Sequence, residues 1–94
     1  ANEYLEPIIE YDKQYNGRLL ETLKAYMDCS GSKQETAKKL FIVRQTLYHR
    51  LQKIENLIGS DFMEREKRMA IEFMLLIHDY LQAPEQSISS IKAK

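Results

Sequence analysis

The chain has 94 residues, 14 basic and 14 acidic side chains, and one cysteine. A chain of this length forms one small domain, whose single core needs nearly all of its apolar residues. One cysteine excludes a disulfide framework and fits a reducing compartment, and the longest apolar run, 73–77, is too short to cross a bilayer. We therefore expect a cytoplasmic protein without a membrane-spanning segment.

Two helices are predicted in the first third of the chain. The first runs from about Glu6 to Gln14 and is ended by Asn16-Gly17, because glycine readily adopts the left-handed conformation of helix ends. The second covers about 18–28 and carries its apolar side chains at the spacing of an amphipathic helix. These side chains are Leu19, Leu20, Leu23, Tyr26 and Met27.

Residues 33–58 are predicted to form two helices joined by a tight turn, which is a helix-turn-helix. A short helix covers about Gln34 to Leu40, and a longer one covers about Arg44 to Ile58. The longer helix carries four core-facing residues at helical spacing, namely Leu47, Leu51, Ile54 and Ile58.

Local residue types indicate how this pair of helices is held. Ser32 and Glu35 form a capping-box pattern at the start of the short helix. Ala37 is small enough to let two steeply crossing helices approach. Phe41 occupies the turn position where many such motifs have glycine. We expect its ring to be buried and to set the turn by packing.

The side of the longer helix opposite its apolar residues is polar. It carries Gln45, His49, Gln52, Lys53 and Asn56, with Arg44 and Tyr48 nearer its edge. Such side chains bind base edges and phosphates in a major groove. Arg44 is placed for a bidentate contact to guanine or for a phosphate, and Gln45 for adenine. Lys33, Thr46 and Lys53 are expected to contact phosphates.

Basic residues concentrate on the helix-turn-helix although the whole chain is neutral. The formal charge is about +4 over 32–55, about −3 over 1–31, about −2 over 56–82 and about +1 over 83–94. This distribution favours nucleic acid as a partner. The alternative is a protein-interaction or dimerisation module whose basic patch is incidental.

The last predicted helix covers about Phe62 to Leu81, after a helix end at Gly59. Its apolar residues are Phe62, Met69, Ile71, Phe73, Met74, Leu75, Leu76, Ile77, Tyr80 and Leu81. One face of a small domain does not bury so many, so the helix is either central to the core or packs on a second copy or another domain. The candidate contact surface lies around Met74, Leu75, Ile77 and Tyr80. Pro84 is expected to end the helix, and 83–94 to be a flexible tail.

No residue pattern indicates catalysis. His49, His78 and Cys29 lie on different predicted helices, and no spacing matches a zinc or heme site. We expect a protein that is not an enzyme and that needs no metal or cofactor, with His78 in the core or an interface.

The run from Leu40 to Leu51, LFIVRQTLYHRL, resembles the carboxy-terminal helix-turn-helix domain of PucR-type purine-catabolism and CdaR-type sugar-diacid regulators. The pattern there is close to LFVHRNTLRYRL. Further similarities occur at Tyr11-Asp12, Glu21-Thr22-Leu23, Ala25-Tyr26, Thr36-Ala37, Ile54-Glu55, Leu57, Gly59 and Asp61. The Arg-x-Thr-Leu core is also similar to the Fis-type helix-turn-helix. The resemblance implies an all-α, Fis-like bundle of about five helices over 1–82.

The resemblance also implies a function. It is that of the sequence-specific DNA-binding domain of a bacterial transcriptional regulator, more specifically an activator of a catabolic pathway. Arg44 and Thr46 carry over as DNA contacts, and Arg50 as a phosphate contact or a structural ion-pair partner. The chain departs from the family pattern at Val43, Gln45 and His49, which bears on the bases that are read.

The complete predicted DNA-contact set is Lys33, Arg44, Gln45, Thr46, Tyr48, His49, Arg50 and Lys53. The expected partner is double-stranded DNA in the nucleoid, and the whole regulator is expected to be a homo-oligomer. The resemblance further implies an amino-terminal sensor domain that is absent from this chain.

Overall fold

The computed structural model describes residues 3–82. This part of the chain consists of five α-helices without a strand, which confirms the predicted all-α class. The helices are α1 (Leu5–Tyr15), α2 (Leu19–Asp28), α3 (Lys33–Leu40), α4 (Arg44–Ile58) and α5 (Arg65–Leu81). The predicted tail, 83–94, lies outside the described residues. No helix within 3–82 is both long and apolar enough to span a membrane.

The core lies between α1, α2 and α4, with α3 packed on α2 and α4. Its buried side chains are Leu5, Ile8, Leu19, Leu23, Tyr26, Met27, Leu47, Leu51, Ile54, Ile58, Phe62, Ile71 and Leu75. All four residues predicted to face inward from α4 are among them. The periodicity of α4 therefore identified its buried face correctly.

Asp12 in α1 caps the start of α2. Its two carboxylate oxygens accept hydrogen bonds from the backbone N–H groups of Leu19, at 2.8 Å, and Leu20, at 2.9 Å. Because the first N–H groups of a helix have no partner within the helix, the carboxylate satisfies two of them and fixes the connection between the two helices.

Asn16, rather than Gly17, adopts the left-handed conformation that ends α1, with φ of 53°. The sequence-based assignment of this role to the glycine was wrong. Gly17 instead lies against Tyr11, where an added Cβ would be 2.5 Å from a ring carbon. The absence of a side chain at Gly17 thus allows the chain to pass the ring of Tyr11.

The connection from α4 to α5 is longer than predicted. Gly59 ends α4 with φ of 102°, as expected, and its N–H donates to the carbonyl of Glu55 at 2.8 Å. Phe62 lies in a turn rather than in α5, and its buried ring packs on Tyr26 with the ring centroids 5.9 Å apart. This core contact holds the connection as a turn, so α5 begins only at Arg65.

Asp61 and Lys67 close this connection across the start of α5. The Lys67 ammonium donates to a carboxylate oxygen of Asp61 at 2.7 Å. The hydrogen bond from Lys67 holds the pKa of Asp61 below its ordinary value of 3.8. A Cβ at Gly59 would lie 2.7 Å from both groups, so the ion pair occupies space that glycine leaves free.

Helix α5 lies on the outside of the bundle, against α1 and α2. Only Ile71 and Leu75 are buried, so of the two alternatives for this helix a central place in the core does not apply. Met74 and Leu75 were predicted to belong to an open contact surface, and this was wrong. Leu75 belongs to the core, and Met74 is partly buried against it. The remaining large apolar side chains of α5 are exposed: Met69, Phe73, Leu76, Ile77, Tyr80 and Leu81.

Candidate nucleic-acid interface

Helix α3 begins with the predicted cap. The Ser32 hydroxyl oxygen accepts a hydrogen bond from the backbone N–H of Glu35 at 3.2 Å. The hydroxyl of Thr36, which is fully buried, donates to the Ser32 carbonyl at 2.6 Å. These two contacts define the first turn of α3 and leave Lys33 exposed beside it.

The turn between α3 and α4 is closed by backbone hydrogen bonds. Phe41 is left-handed, with φ of 56°. Its N–H donates to the carbonyl of Lys38 at 3.2 Å, and the next N–H, of Ile42, donates to Ala37 at 3.1 Å. This is the Schellman arrangement, which ends α3 and redirects the chain into α4.

Phe41 is 95% exposed, so the expectation that its ring is buried was wrong. The left-handed residue of the turn carries its side chain into solvent, and the following residue, Ile42, packs against the core instead. The turn is therefore set by its hydrogen bonds and by Ile42.

The predicted contact residues divide into two groups by exposure. Lys33, Arg44, Gln45, Tyr48 and His49 are exposed, together with Gln52. The remaining three, Thr46, Arg50 and Lys53, are partly buried. Compared with the predicted face, the open face of α4 is therefore shifted away from Lys53 and toward Tyr48 and Gln52.

Tyr48 brings together two cations from different helices. Its ring centroid lies 5.1 Å from the Lys33 ammonium and 5.9 Å from the guanidinium carbon of Arg44. Cations at this distance are attracted to the negative face of the ring. The contact collects positive charge beside the first turns of α4, between the beginnings of α3 and α4.

A shallow depression lies along the first turns of α4. It is lined by Val43, Gln45, Thr46 and His49. Val43, which is 68% exposed, was not among the predicted contacts. Its departure from the family pattern was the signal that could have identified it.

The amino terminus of α4 is open. Val43 precedes the helix and provides no side-chain cap, in contrast to Ser32 at α3. The first helical hydrogen bond runs from the N–H of Leu47 to the carbonyl of Val43 at 3.2 Å. The N–H groups at 44–46 precede this bond, and together with the helix dipole they favour an anion such as a phosphate.

Most of the positive charge on the helix-turn-helix is not neutralised within the part of the chain that the structure describes. No carboxylate there lies within ion-pair distance of Lys33, Lys38, Arg44 or Lys53. Lys39 is 3.8 Å from a carboxylate oxygen of Asp28. Lys38 is exposed and was not predicted as a contact, although it belongs to the basic segment.

Arg50 is held by α2. Its guanidinium donates to the hydroxyl oxygen of Thr22 at 3.2 Å. Thr22 is fully buried, and its hydroxyl donates in turn to the carbonyl of Arg18 at 2.7 Å. Two roles were considered for Arg50, a phosphate contact and a structural ion pair. The observed contact corresponds to the structural role, but the partner is a hydroxyl instead of an acidic side chain.

Metal ligands are not clustered within residues 3–82. No group of three or more histidine, cysteine, aspartate or glutamate side chains lies together there. His49 lies on the open face of α4, whereas His78 is partly buried on α5.

The capped α3, the hydrogen-bonded turn and the open, basic first half of α4 define a helix-turn-helix domain of the DNA-binding class. A family model described as the PucR C-terminal helix-turn-helix domain matches residues 19–77. The chain belongs to this family. The matched residues run from the start of α2 into α5 and include the whole helix-turn-helix.

The chain is also similar to individual proteins. The purine catabolism regulatory protein of Bacillus subtilis (strain 168) is 34% identical over 74 residues, which are 79% of this chain and 14% of that protein. Uncharacterized proteins of Mycobacterium bovis and Mycobacterium tuberculosis are 44% identical over 43 residues, which are 46% of this chain and 10% of each of those proteins. The chain thus spans only a small part of the length of these relatives. No solved structure gives a significant match.

Proposed function

We propose that this chain binds duplex DNA through α3 and α4 as the DNA-binding domain of a bacterial transcriptional regulator. The observation that carries the proposal is the open and basic character of the first half of α4. This half has an open amino terminus and is flanked by the cations that Tyr48 holds together. Helix α4 would lie in a major groove with this half facing the bases.

The exposed side chains have distinct proposed roles. Arg44 contacts guanine or a phosphate, and Gln45 makes a bidentate contact to adenine. His49 and Val43 lie beside Gln45 in the same depression and contact the neighbouring base edges. An apolar side chain such as that of Val43 suits the methyl group of thymine.

The phosphate backbone is proposed to be bound at the edges of this face. Lys33, Thr46 and Lys53 would contact phosphates and fix the position of α4 along the groove. Tyr48 supports this role by holding the Lys33 ammonium close to its ring. We assign Arg50 primarily to positioning, because its guanidinium is engaged with Thr22.

For the whole protein we propose an activator of a catabolic pathway, of the purine or sugar-diacid type, that acts in the cytoplasm at the nucleoid. The similarity to a protein named for purine catabolism supports the regulatory role and the purine type among these proposals. Since the chain spans 14% of that relative, the full regulator has room for the expected amino-terminal sensor domain.

We also propose that the full regulator is a homo-oligomer. One α4 covers only a few base pairs, so a single copy binds weakly and selects poorly. Two copies related by a two-fold axis would place two such helices about 34 Å apart, in successive major grooves.

Binding of a fluorescently labelled duplex, measured over a series of salt concentrations, tests DNA binding. We expect the logarithm of the association constant to fall linearly with the logarithm of salt concentration, because each neutralised phosphate releases counterions. A protein-interaction module with an incidental basic patch would bind no duplex at physiological salt. The latter result would contradict the proposal.

A further inference from the structure

The exposed apolar side chains of α5 form one continuous stripe. Met69, Phe73, Leu76 and Tyr80 are each between 61% and 69% exposed, and Ile77, which is 42% exposed, lies beside them. At 100° per residue these positions cover an arc of about 100°, opposite the buried Ile71 and Leu75. A small domain rarely exposes this much contiguous apolar surface unless the surface is used.

The spacing along the stripe is that of a coiled-coil seam. From Met69 to Phe73, Leu76 and Tyr80, the separations are about four, three and four residues, which is the alternation of a and d positions in a heptad. A helix face with this repeat is complementary to another helix with the same repeat.

Two acidic residues that border the stripe between Met69 and Tyr80 are paired within their own chain. Glu72 lies 3.5 Å from the Arg68 guanidinium, and Asp79 forms an ion pair with Lys24 of α2. Between Met69 and Tyr80, these two residues therefore bring no unpaired negative charge to a contact between two copies of α5. The seam itself carries no charge from Met69 to Tyr80.

The stripe is separate from the proposed DNA-binding face. Within the described residues, the backbone of α5 packs on α1 and α2 and does not approach the backbone of α3 or α4 as closely. A partner on the outer face of α5 would leave the first half of α4 open to DNA.

We infer that the α5 stripe is the contact surface for a second copy of this domain, paired helix to helix across a two-fold axis. The inference rests on the homo-oligomer proposed above and names its surface. Five side chains of this kind bury on the order of 500 Å² per copy, less than the roughly 800 Å² per partner of a standard interface. The isolated chain therefore forms a weak dimer, and the rest of the regulator strengthens it.

Sedimentation of the chain without DNA tests the surface. We expect a monomer at micromolar and a dimer at millimolar concentration. The double variant Phe73→Gln/Leu76→Gln should weaken association at least about tenfold, because two central apolar contacts are lost. Both side chains are exposed and glutamine is a good helix former, so the variant should keep the circular dichroism spectrum of the native chain.

The matched control is Tyr15→Gln, which removes a large side chain of similar exposure, 62%, from α1. It should associate like the native chain. A chain that stays monomeric at millimolar concentration would overturn the inference and leave the stripe to another domain of the regulator. Equal weakening by the control and by the double variant would also overturn it.

A DNA-binding experiment tests the α5 surface separately from the proposed function. On a duplex with two half-sites one helical turn apart, the native chain should bind cooperatively, and the double variant should bind each site independently. Loss of cooperativity with single-site affinity retained supports the α5 surface. Unchanged cooperativity would refute the inference without affecting DNA binding, whereas absence of any duplex binding would refute the proposed function alone.

Discussion

Arg50 of α4 donates a hydrogen bond to the buried hydroxyl of Thr22 in α2, across 3.2 Å. The contact joins the proposed DNA-facing helix to the helix behind it. Because the hydroxyl also donates to the Arg18 carbonyl, it is oriented to accept from the guanidinium. The position of α4 is thereby tied to the core by a polar contact as well as by its apolar face.

Arg50→Ala should lower the free energy of unfolding by about 1–2 kcal/mol, because a hydrogen bond from a charged donor is lost at a partly buried site. Urea denaturation measures the change. In a Thr22→Val background the same substitution should cost clearly less, since the partner is already absent. Unchanged stability together with a reduced salt dependence of DNA binding would instead assign Arg50 to a phosphate.

Asp12→Ala should destabilise the domain by about 1–2 kcal/mol, because two N–H groups at the start of α2 lose their acceptor. Thermal unfolding followed by circular dichroism measures this. Asp12→Asn, which keeps one acceptor oxygen, should cost less. The control is Glu10→Ala, an exposed acidic residue on the same helix. If Asp12→Ala and Glu10→Ala lower the stability of the domain equally, the cap at Asp12 contributes nothing specific.

Lys33→Gln and Lys53→Gln should each reduce the slope of log affinity against log salt by about 0.9, the value for one phosphate contact on duplex DNA. Lys24→Gln removes the same charge from the side of α2 that faces α5, where Lys24 pairs with Asp79. It should leave the slope unchanged. Slopes unaffected in both Lys33 and Lys53 variants would place the phosphate contacts elsewhere.

Gln45→Ala should relax base preference at one position of the bound sequence, because a bidentate contact to adenine is worth about 1–3 kcal/mol of discrimination. Selection of duplexes from a random pool, followed by sequencing, reports the preference of each variant. Gln52→Ala, on the same exposed face but a turn or more from the amino terminus of α4, serves as the control. Equal loss of affinity for all sequences would show that Gln45 does not read a base.

Leu51→Ala should cost about 2–5 kcal/mol, because Leu51 is 6% exposed and its truncation leaves a cavity between α4 and the core. Gln52→Ala, at the adjacent exposed position, should change stability by no more than about 0.5 kcal/mol. Urea unfolding compares the two. Comparable destabilisation by both would mean that α4 is buried on all sides and has no face for a groove.

The sequence determined those features that depend on neighbouring residues. Helix α4 has the predicted bounds, and its four apolar residues are buried, because a periodic pattern over many residues specifies both a helix and its inner face. The Ser32 cap and the end of α4 at Gly59 were predicted for the same reason, since each involves groups only a few residues apart. The family pattern and the local excess of basic residues indicated the face that we propose as the DNA interface.

Tertiary structure decided the features that depend on how the helices pack. Arg50 and Thr22 are 28 positions apart, so no local pattern indicates their hydrogen bond. The exposure of Phe41 follows from the left-handed turn, and the late start of α5 follows from the packing of Phe62 on a ring of α2. Periodicity marks the apolar residues of a helix, but which of them are buried depends on the area that its neighbours cover. On α5 the neighbours cover little more than Ile71 and Leu75.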